Sequence, residues 1–347
     1  MNFLKLSLAV LSVAVAIGLS GCGDNGSTSA TTGPGAASGA KKLRIAVIPK
    51  GTTSEYWKIV HAGAVKAQKE LAPTQAVELI YKGSLKEDQS ADEISVVEDM
   101  FNNKVDAIVL APNSFDALAP VVDTAAKKNI PVVIIDSAVK TDSYKSFVAT
   151  DNKKGGYMGG KELAREIGGK GKVIMLRYQE GSASTEEREQ GFLDAMKEAG
   201  ITPVDVAKHG GVTADACQKV ADNLIAAYKT PDGTLSIDGI FCPNYPTTFG
   251  MLRALEDAKL AGKVKFVGFD ADVILAQAVK DKKINALVVQ DPINMGYKGV
   301  MAAVDLANGK KVDRTIDTGV HLVTTENVNT PEAKEILTPD ISKYIKD

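Results

Sequence analysis

Between Val47 and Trp57 the chain reads Val-Ile-Pro-Lys-Gly-Thr-Thr-Ser-Glu-Tyr-Trp. This stretch leaves an apolar run, Leu43 to Ile48, crosses a loop bearing Lys50 and Ser54, and enters a helical pattern opened by Tyr56 and Trp57. That is the strand-to-helix turn of an α/β unit. Ligands of open α/β sheets sit outside the carboxyl ends of the strands, where such turns gather, so these polar and aromatic side chains are candidate contacts. The other reading of Tyr56 and Trp57 is that they pack the helix onto the sheet. Nothing nearby supplies turnover chemistry. His61, His209 and His321 are scattered without metal-ligand spacing and pair with no nucleophile. The glycine-rich run Gly168-Gly169-Lys170-Gly171-Lys172 lacks the Lys-Ser/Thr step of a phosphate cradle and reads as a helix C-cap turn. We expect no catalytic residues, no metal and no cofactor.

The elements that must position these groups follow from hydrophobic patterning. Short Val/Ile-rich runs at Leu43–Ile48, Val77–Tyr81, Ala107–Leu110, Val132–Ile135, Phe147–Ala149, Val173–Leu176, Val204–Ala207, Ile237–Phe241, Val264–Gly268 and Ala286–Val289 predict strands. Amphipathic stretches such as Ala91–Asn102, Ala117–Lys128 and Gly155–Ile167 separate them. Buried strands with helical crossovers mean parallel sheets covered on both faces. So many strands exceed one small sheet, and the expected fold is α/β with two doubly wound parallel-sheet lobes. Brief polar pauses at Ala149–Asn152 and at Gln290-Asp291-Pro292 suggest that the chain crosses between lobes more than once, giving a multi-strand hinge. The expected N-terminal lobe is 43–149 plus 291–319, and the C-terminal lobe and tail 150–290 plus 320–347. The tail beyond Thr330 reads as a surface cap.

Read together, the loop ends form an ordered set: Ile134-Ile135-Asp136, then Ser184-Thr-Glu-Glu-Arg188-Glu-Gln-Gly191-Phe192, Phe241-Cys-Pro-Asn244, Val267-Gly-Phe-Asp270 and Val288-Val-Gln290-Asp291. In this order and spacing the chain resembles the periplasmic sugar-binding proteins of ABC transporters, the ribose-binding-like type I solute-binding family, from about Leu43 to about Val323. Each motif is weak alone, whereas the ordered set is specific. The resemblance implies the type I periplasmic binding protein fold, with Tyr56 and Trp57 covering the faces of a sugar ring. It implies that Asp136, Arg188, Asn244, Asp270 and Gln290 hydrogen-bond its hydroxyls, and that Thr150 to Asn152 form a hinge crossing. A sugar has apolar C–H faces and a girdle of hydroxyls that donate and accept, which flat aromatics and carboxylate, amide and guanidinium groups suit. The residues leave plainer roles open: Asp136 and Asp270 as helix N-caps, Arg188 as a solvated residue among Glu186, Glu187 and Glu189, Asn244 as a turn residue, and Gln290 as a hinge spacer. Four positions depart from the ribose-binder pattern. Ser54 stands for an Asn, Ser137 for an Arg and Ala111 for an Asn, while Lys50 adds an amine. The departures leave the identity of the sugar open and point to a larger ligand or different hydroxyl geometry.

The first 22 residues read as a lipoprotein signal peptide. Lys5 precedes an apolar core, Leu6 to Leu19, and Leu19-Ser20-Gly21-Cys22 closes it, with Cys22 as the lipidated residue. Residues 23–42 form a flexible tether, for Gly, Ser, Thr and Ala dominate as far as Ala40. The full chain of 347 residues is long enough for two domains with substantial cores. A net charge of -2 gives no electrostatic reason to expect nucleic acid, and a secretion signal stands where a transcription regulator would need its DNA-binding module. Cys217 and Cys242 could meet as a disulfide at one sheet edge or stand as independent thiols. The resulting expectation is a monomeric, periplasmic or cell-surface lipoprotein that captures a monosaccharide and delivers it to an ABC permease in the inner membrane. The alternative is a sensor presenting a sugar or small polyhydroxylated signal to a chemoreceptor or sensor kinase.

Overall fold

The computed structural model describes residues 41–345. The signal segment with Cys22, the tether as far as residue 40, and residues 346 and 347 lie outside the described residues. The chain begins β1 (Leu43–Ile48), α1 (Glu55–Leu71), β2 (Val77–Tyr81), α2 (Ser90–Asn102), β3 (Ala107–Leu110), α3 (Ala119–Lys127), β4 (Val132–Ile135) and β5 (Ser146–Ala149). It continues α4 (Asn152–Glu166), β6 (Val173–Arg177), α5 (Ala183–Glu198), β7 (Asp205–His209), α6 (Ala214–Tyr228), β8 (Gly239–Phe241) and α7 (Tyr245–Asp257). Then come β9 (Lys265–Phe269), α8 (Val273–Lys280), β10 (Ala286–Gln290), α9 (Pro292–Ala307), β11 (Thr315–Asp317), β12 (Val320–Thr324) and α10 (Pro331–Leu337). Ten strands match the expected runs to within a few residues. The edge strands β11 and β12 were not anticipated; they are short and half-exposed, so they lack the apolar run that marks a buried strand.

Two six-stranded sheets result, ordered β11-β5-β4-β3-β1-β2 and β12-β10-β9-β8-β6-β7. All pairings between named strands are parallel except β10 with β12. Alternate strand residues point to opposite faces, and each sheet is therefore covered twice. In the first, Ile45, Val47, Val109 and Val133 pack against α1 and α9, whereas Ala46, Ile48, Ile108 and Ile134 pack against α2 and α3. In the second, Ile240, Phe266 and Leu287 face α6, α7 and α8, while Phe241, Val267 and Val288 face α4 and α5. This is the two-lobed doubly wound α/β architecture that the strand rhythm predicts.

The chain passes from one sheet to the other three times, after β5, after β10 and between β11 and β12. The first two crossings enter helices by the same device: Asp151 caps α4 by accepting from Lys154 N, and Asp291 caps α9 by accepting from Asn294 N. Each of these helices then lies tight on the helix that carries site residues. A Cβ on Gly156 of α4 would fall 1.8 Å from the carbonyl oxygen of Arg188 on α5, and one on Gly296 of α9 would fall 2.0 Å from that of Val60 on α1. Only glycine permits backbones so close.

Cys217 and Cys242 are free thiols, both buried in one core cluster, so the contemplated disulfide does not form. The segment beyond Thr330 is more than a surface cap, since Ala333 and Leu337 of α10 are buried in that same cluster. The glycine-rich run behaves as a C-cap turn: Gly168 and Gly169 have φ of 70° and 74°, and their N–H groups donate to the last carbonyls of α4.

Candidate functional site

All nine residues selected from the sequence, Lys50, Ser54, Tyr56, Trp57, Asp136, Arg188, Asn244, Asp270 and Gln290, line one cavity between the two sheets. All but Arg188 stand where a strand ends or a helix begins: Lys50 after β1, Ser54 to Trp57 at the start of α1, Asp136 after β4, Asn244 before α7, Asp270 after β9, and Gln290 at the end of β10; Arg188 reaches the cavity from the second turn of α5. The free space is about 30 Å³, room for roughly two waters.

On the first sheet's side the polar groups satisfy one another. Lys50 Nζ lies 2.6 Å from Asp136 Oδ2. The Tyr56 hydroxyl donates to Asp136 Oδ1 at 3.1 Å, and Tyr56 and Trp57 meet edge to face with ring centroids 5.0 Å apart. Burial, with Asp136 beside it, holds the Tyr56 phenol well above its ordinary range, so it serves as a donor. Asp136 caps no helix; it sits in the left-handed region at φ 64°. The Trp57 indole N–H donates to Glu87 Oε1 at 2.9 Å.

On the second sheet's side Arg188 is buried, with its guanidinium 4.0 Å over the Phe269 ring. It is not a solvated residue: Nε donates to Asn152 Oδ1 and Nη1 to Pro243 O. Of its acidic neighbours only Glu187 is exposed, and Glu189 is buried with Arg177 at 2.7 Å. Asp270, at φ 67°, accepts from Tyr245 N at 2.9 Å and from Gln290 Nε2 at 2.8 Å; Asp272, not Asp270, caps α8. Burial pushes the Asp270 carboxyl up, against the pull of Arg188. Asn244 does make the turn, as the N-cap of α7 in a capping box with Thr247, while also lining the cavity. Gln290 is a cavity residue at a crossing, so neither of its two readings excludes the other.

Three buried polar atoms of the lining lack any partner: Arg188 Nη2, a donor; Gln290 Oε1, an acceptor; and Ser182 Oγ, which can be either. An unpaired buried polar atom costs about 1–3 kcal/mol, so these groups mark where a polar guest would be rewarded. Among the described residues no group of three or more His, Cys, Asp or Glu side chains could hold a metal ion, and no helix is long and apolar enough to cross a membrane.

The comparisons agree with this fold. The sequence profile of the periplasmic binding protein domain matches residues 45–311. The chain belongs to the periplasmic binding protein family. The ribose import binding protein of Bacillus subtilis is 31% identical over 243 residues, which are 69% of this chain and 75% of that one. Two solved members align over 85% of this chain and 99% of their own, each with a TM-score of 0.79. One is a carbohydrate transporter solute binding protein from Agrobacterium radiobacter in complex with D-arabinose, 36% identical; the other is an ABC transporter solute binding protein from Agrobacterium vitis with bound D-fucose, 38% identical. Periplasmic binding proteins work outside the cytoplasm, and these relatives are transport proteins.

The family resemblance did not point to Glu87, Tyr178 or Ser184, which also line the cavity. Glu87 sits in the charged loop Lys86-Glu87-Asp88, which reads as solvated surface, and nothing local sets Tyr178 apart from other strand-end residues. Of the departures, Ser137 accepts from Ser184 N across the cleft at 3.0 Å, and Ala111 is buried at the end of β3.

Proposed function

We propose that this protein is the solute-binding component of an ABC importer and captures a monosaccharide between its two lobes, 43–149 with 291–319 and 150–290 with 320–347. The observation that carries this reading is the pairing of an unpartnered donor, Arg188 Nη2, with an unpartnered acceptor, Gln290 Oε1, on a cavity that Tyr56 and Trp57 also line. A sugar hydroxyl donates and accepts at once and so satisfies both, while aromatic faces suit the C–H faces of the ring. In this reading Asp136, Asn244 and Asp270 hold further hydroxyls, and Lys50 and Ser54 tune the choice among sugars. A free space of about 30 Å³ is smaller than a sugar, so the lobes part about the three crossings to admit it and close less tightly around it. The ligand favours closure to the extent that it touches both lobes more favourably when they are shut.

The protein acts by binding, without turnover, as a monomer anchored through lipidated Cys22 on the 23–42 tether, and closure presents the surface that the permease reads. The named relatives bind or import ribose, D-arabinose and D-fucose, which makes pentoses and deoxyhexoses the first sugars to test. Calorimetric titration with a panel of pentoses and hexoses is expected to find a ligand bound at micromolar affinity or tighter. Asp270→Ala is expected to weaken that ligand by more than about tenfold. A panel that gives no binding heat would overturn the reading, and an unaltered affinity in the variant would remove Asp270 from the site.

A further inference from the structure

Glu87 has no role in the recognition scheme above, yet its carboxylate divides itself between the two lobes. Oε1 accepts from the indole N–H of Trp57 at 2.9 Å, on the first lobe. Oε2 accepts from the hydroxyl of Tyr178 at 2.8 Å, just beyond β6 of the second. The backbone carbonyl of Glu87 accepts from Gln179 Nε2 at 3.2 Å, so two adjacent residues of the second lobe close on this one residue. The place is built. Ser84 donates to Lys50 O, Thr52 donates to Ser84 O and Thr53 donates to Leu85 O, which ties the Glu87 loop to the loop of Lys50. Gly51 lets the two run side by side, for a Cβ there would meet Glu87 Cγ at 3.2 Å.

Trp57 is restrained accordingly. Its indole N–H can only donate, and when buried it needs an acceptor. Glu87 is that acceptor, and the carboxylate's second oxygen is engaged by a group that reaches it only when the lobes are together. We propose that Glu87 is a positioning residue that sets the plane of Trp57 and couples it to Tyr178, so that the aromatic wall of the sugar site is held in place by lobe closure itself. The coupling rests on the sugar-binding reading for its ligand. The charged and titratable groups around Glu87 are Lys50, Asp136 and Glu93 on the first lobe and Tyr178 on the second, whose carbonyl is bonded to His209. Burial raises the Glu87 carboxyl above its ordinary range, against the pull of Lys50.

Trp57 is the only tryptophan in the chain, so its fluorescence reports this contact directly. In the sugar-free protein, emission is expected to show a step as Glu87 titrates, and with sugar bound, when the closed lobes bury the carboxyl, that step is expected to lie above the ordinary glutamate range. Glu87→Gln is expected to lose that step while keeping any contribution from His61, one turn along α1 from Trp57. A step that survives in Glu87→Gln overturns the proposal. With sugar bound, Tyr178→Phe is expected to move the step to higher pH, because the ionised carboxylate has lost a donor, and to weaken sugar affinity about tenfold, chiefly through faster release. Tyr178→Phe with wild-type affinity and an unmoved step also overturns it. If the wild type binds no sugar of the panel, the sugar-binding reading fails on its own, and the Glu87→Gln titration still decides whether Glu87 sets Trp57.

Discussion

Lys50 Nζ stands 2.6 Å from Asp136 Oδ2, with both side chains 5% exposed. Lys50 also donates to Ser184 Oγ at 3.2 Å across the cleft, so the amine that departs from the ribose-binder pattern is engaged by both lobes. Removing one partner of a buried ion pair strands the other charge and costs about 3–5 kcal/mol. Lys50→Met is therefore expected to lower the unfolding free energy by an amount in this range, read as a lower urea midpoint with the slope unchanged. A midpoint shifted by less than about 0.5 kcal/mol equivalent would show that Asp136 is solvated when Lys50 is gone.

Glu93 on α2 is fully buried; one oxygen accepts from Asn113 N and the other, Oε1, has no partner. Burial holds its carboxyl well above the ordinary range. The ionised form is then disfavoured in the fold. This cost is absent below the unfolded value, grows as pH rises toward the raised one, and is complete above it. Glu93→Gln is expected to gain stability relative to wild type between pH 4 and pH 8, read from melting temperatures across that range. A difference that does not change with pH would mean that Glu93 is ionised at no cost.

Gly156 lies where α4 touches the backbone of Arg188, and a methyl group there would sit 1.8 Å from a carbonyl oxygen. Gly156→Ala must push α5 away and carry the guanidinium with it. Overpacking of this kind costs about 1–3 kcal/mol, and the expected result is a protein of normal circular dichroism, lower melting temperature and sugar affinity reduced more than tenfold. Wild-type affinity would show that Arg188 tolerates a shifted helix.

Cys217 and Cys242 offer a chemical check on the second lobe's core. Both are fully buried, and burial pushes the Cys217 thiol up to about 12. The thiolate is the reactive form, so neither should react with a thiol reagent in the native, unreduced protein, and both should react once it is unfolded. Failure to find both after unfolding without reductant would indicate a disulfide.

Most of the fold was legible in the sequence because it follows from local patterning. The run Leu43–Ile48 ends at the same two residues in the structure, as do Val77–Tyr81 and Ala107–Leu110. An apolar run bounded by polar turns leaves a parallel strand little freedom. The nine residues that line the cavity were legible too: Lys50, Ser54, Tyr56 and Trp57 from the first strand-to-helix turn, and Asp136, Arg188, Asn244, Asp270 and Gln290 through the family resemblance. What those residues do to one another was not. Set among three glutamates, Arg188 left a solvated role open beside the contact that the resemblance implies, and the approach of α4 through Gly156, with Asn152 and Phe269, buries it. Asn244 proved to be a cap as well as a lining residue. Glu87 and Tyr178, 91 positions apart, and Lys50 and Ser184, 134 apart, are joined only where the two sheets face each other. Sequence determined which groups this protein brings to its strand ends, because periodicity and turn chemistry act over a few residues. Tertiary structure alone decided which of them satisfy one another and which stay unpaired in the cavity, because that depends on two lobes meeting at distances of a few ångströms.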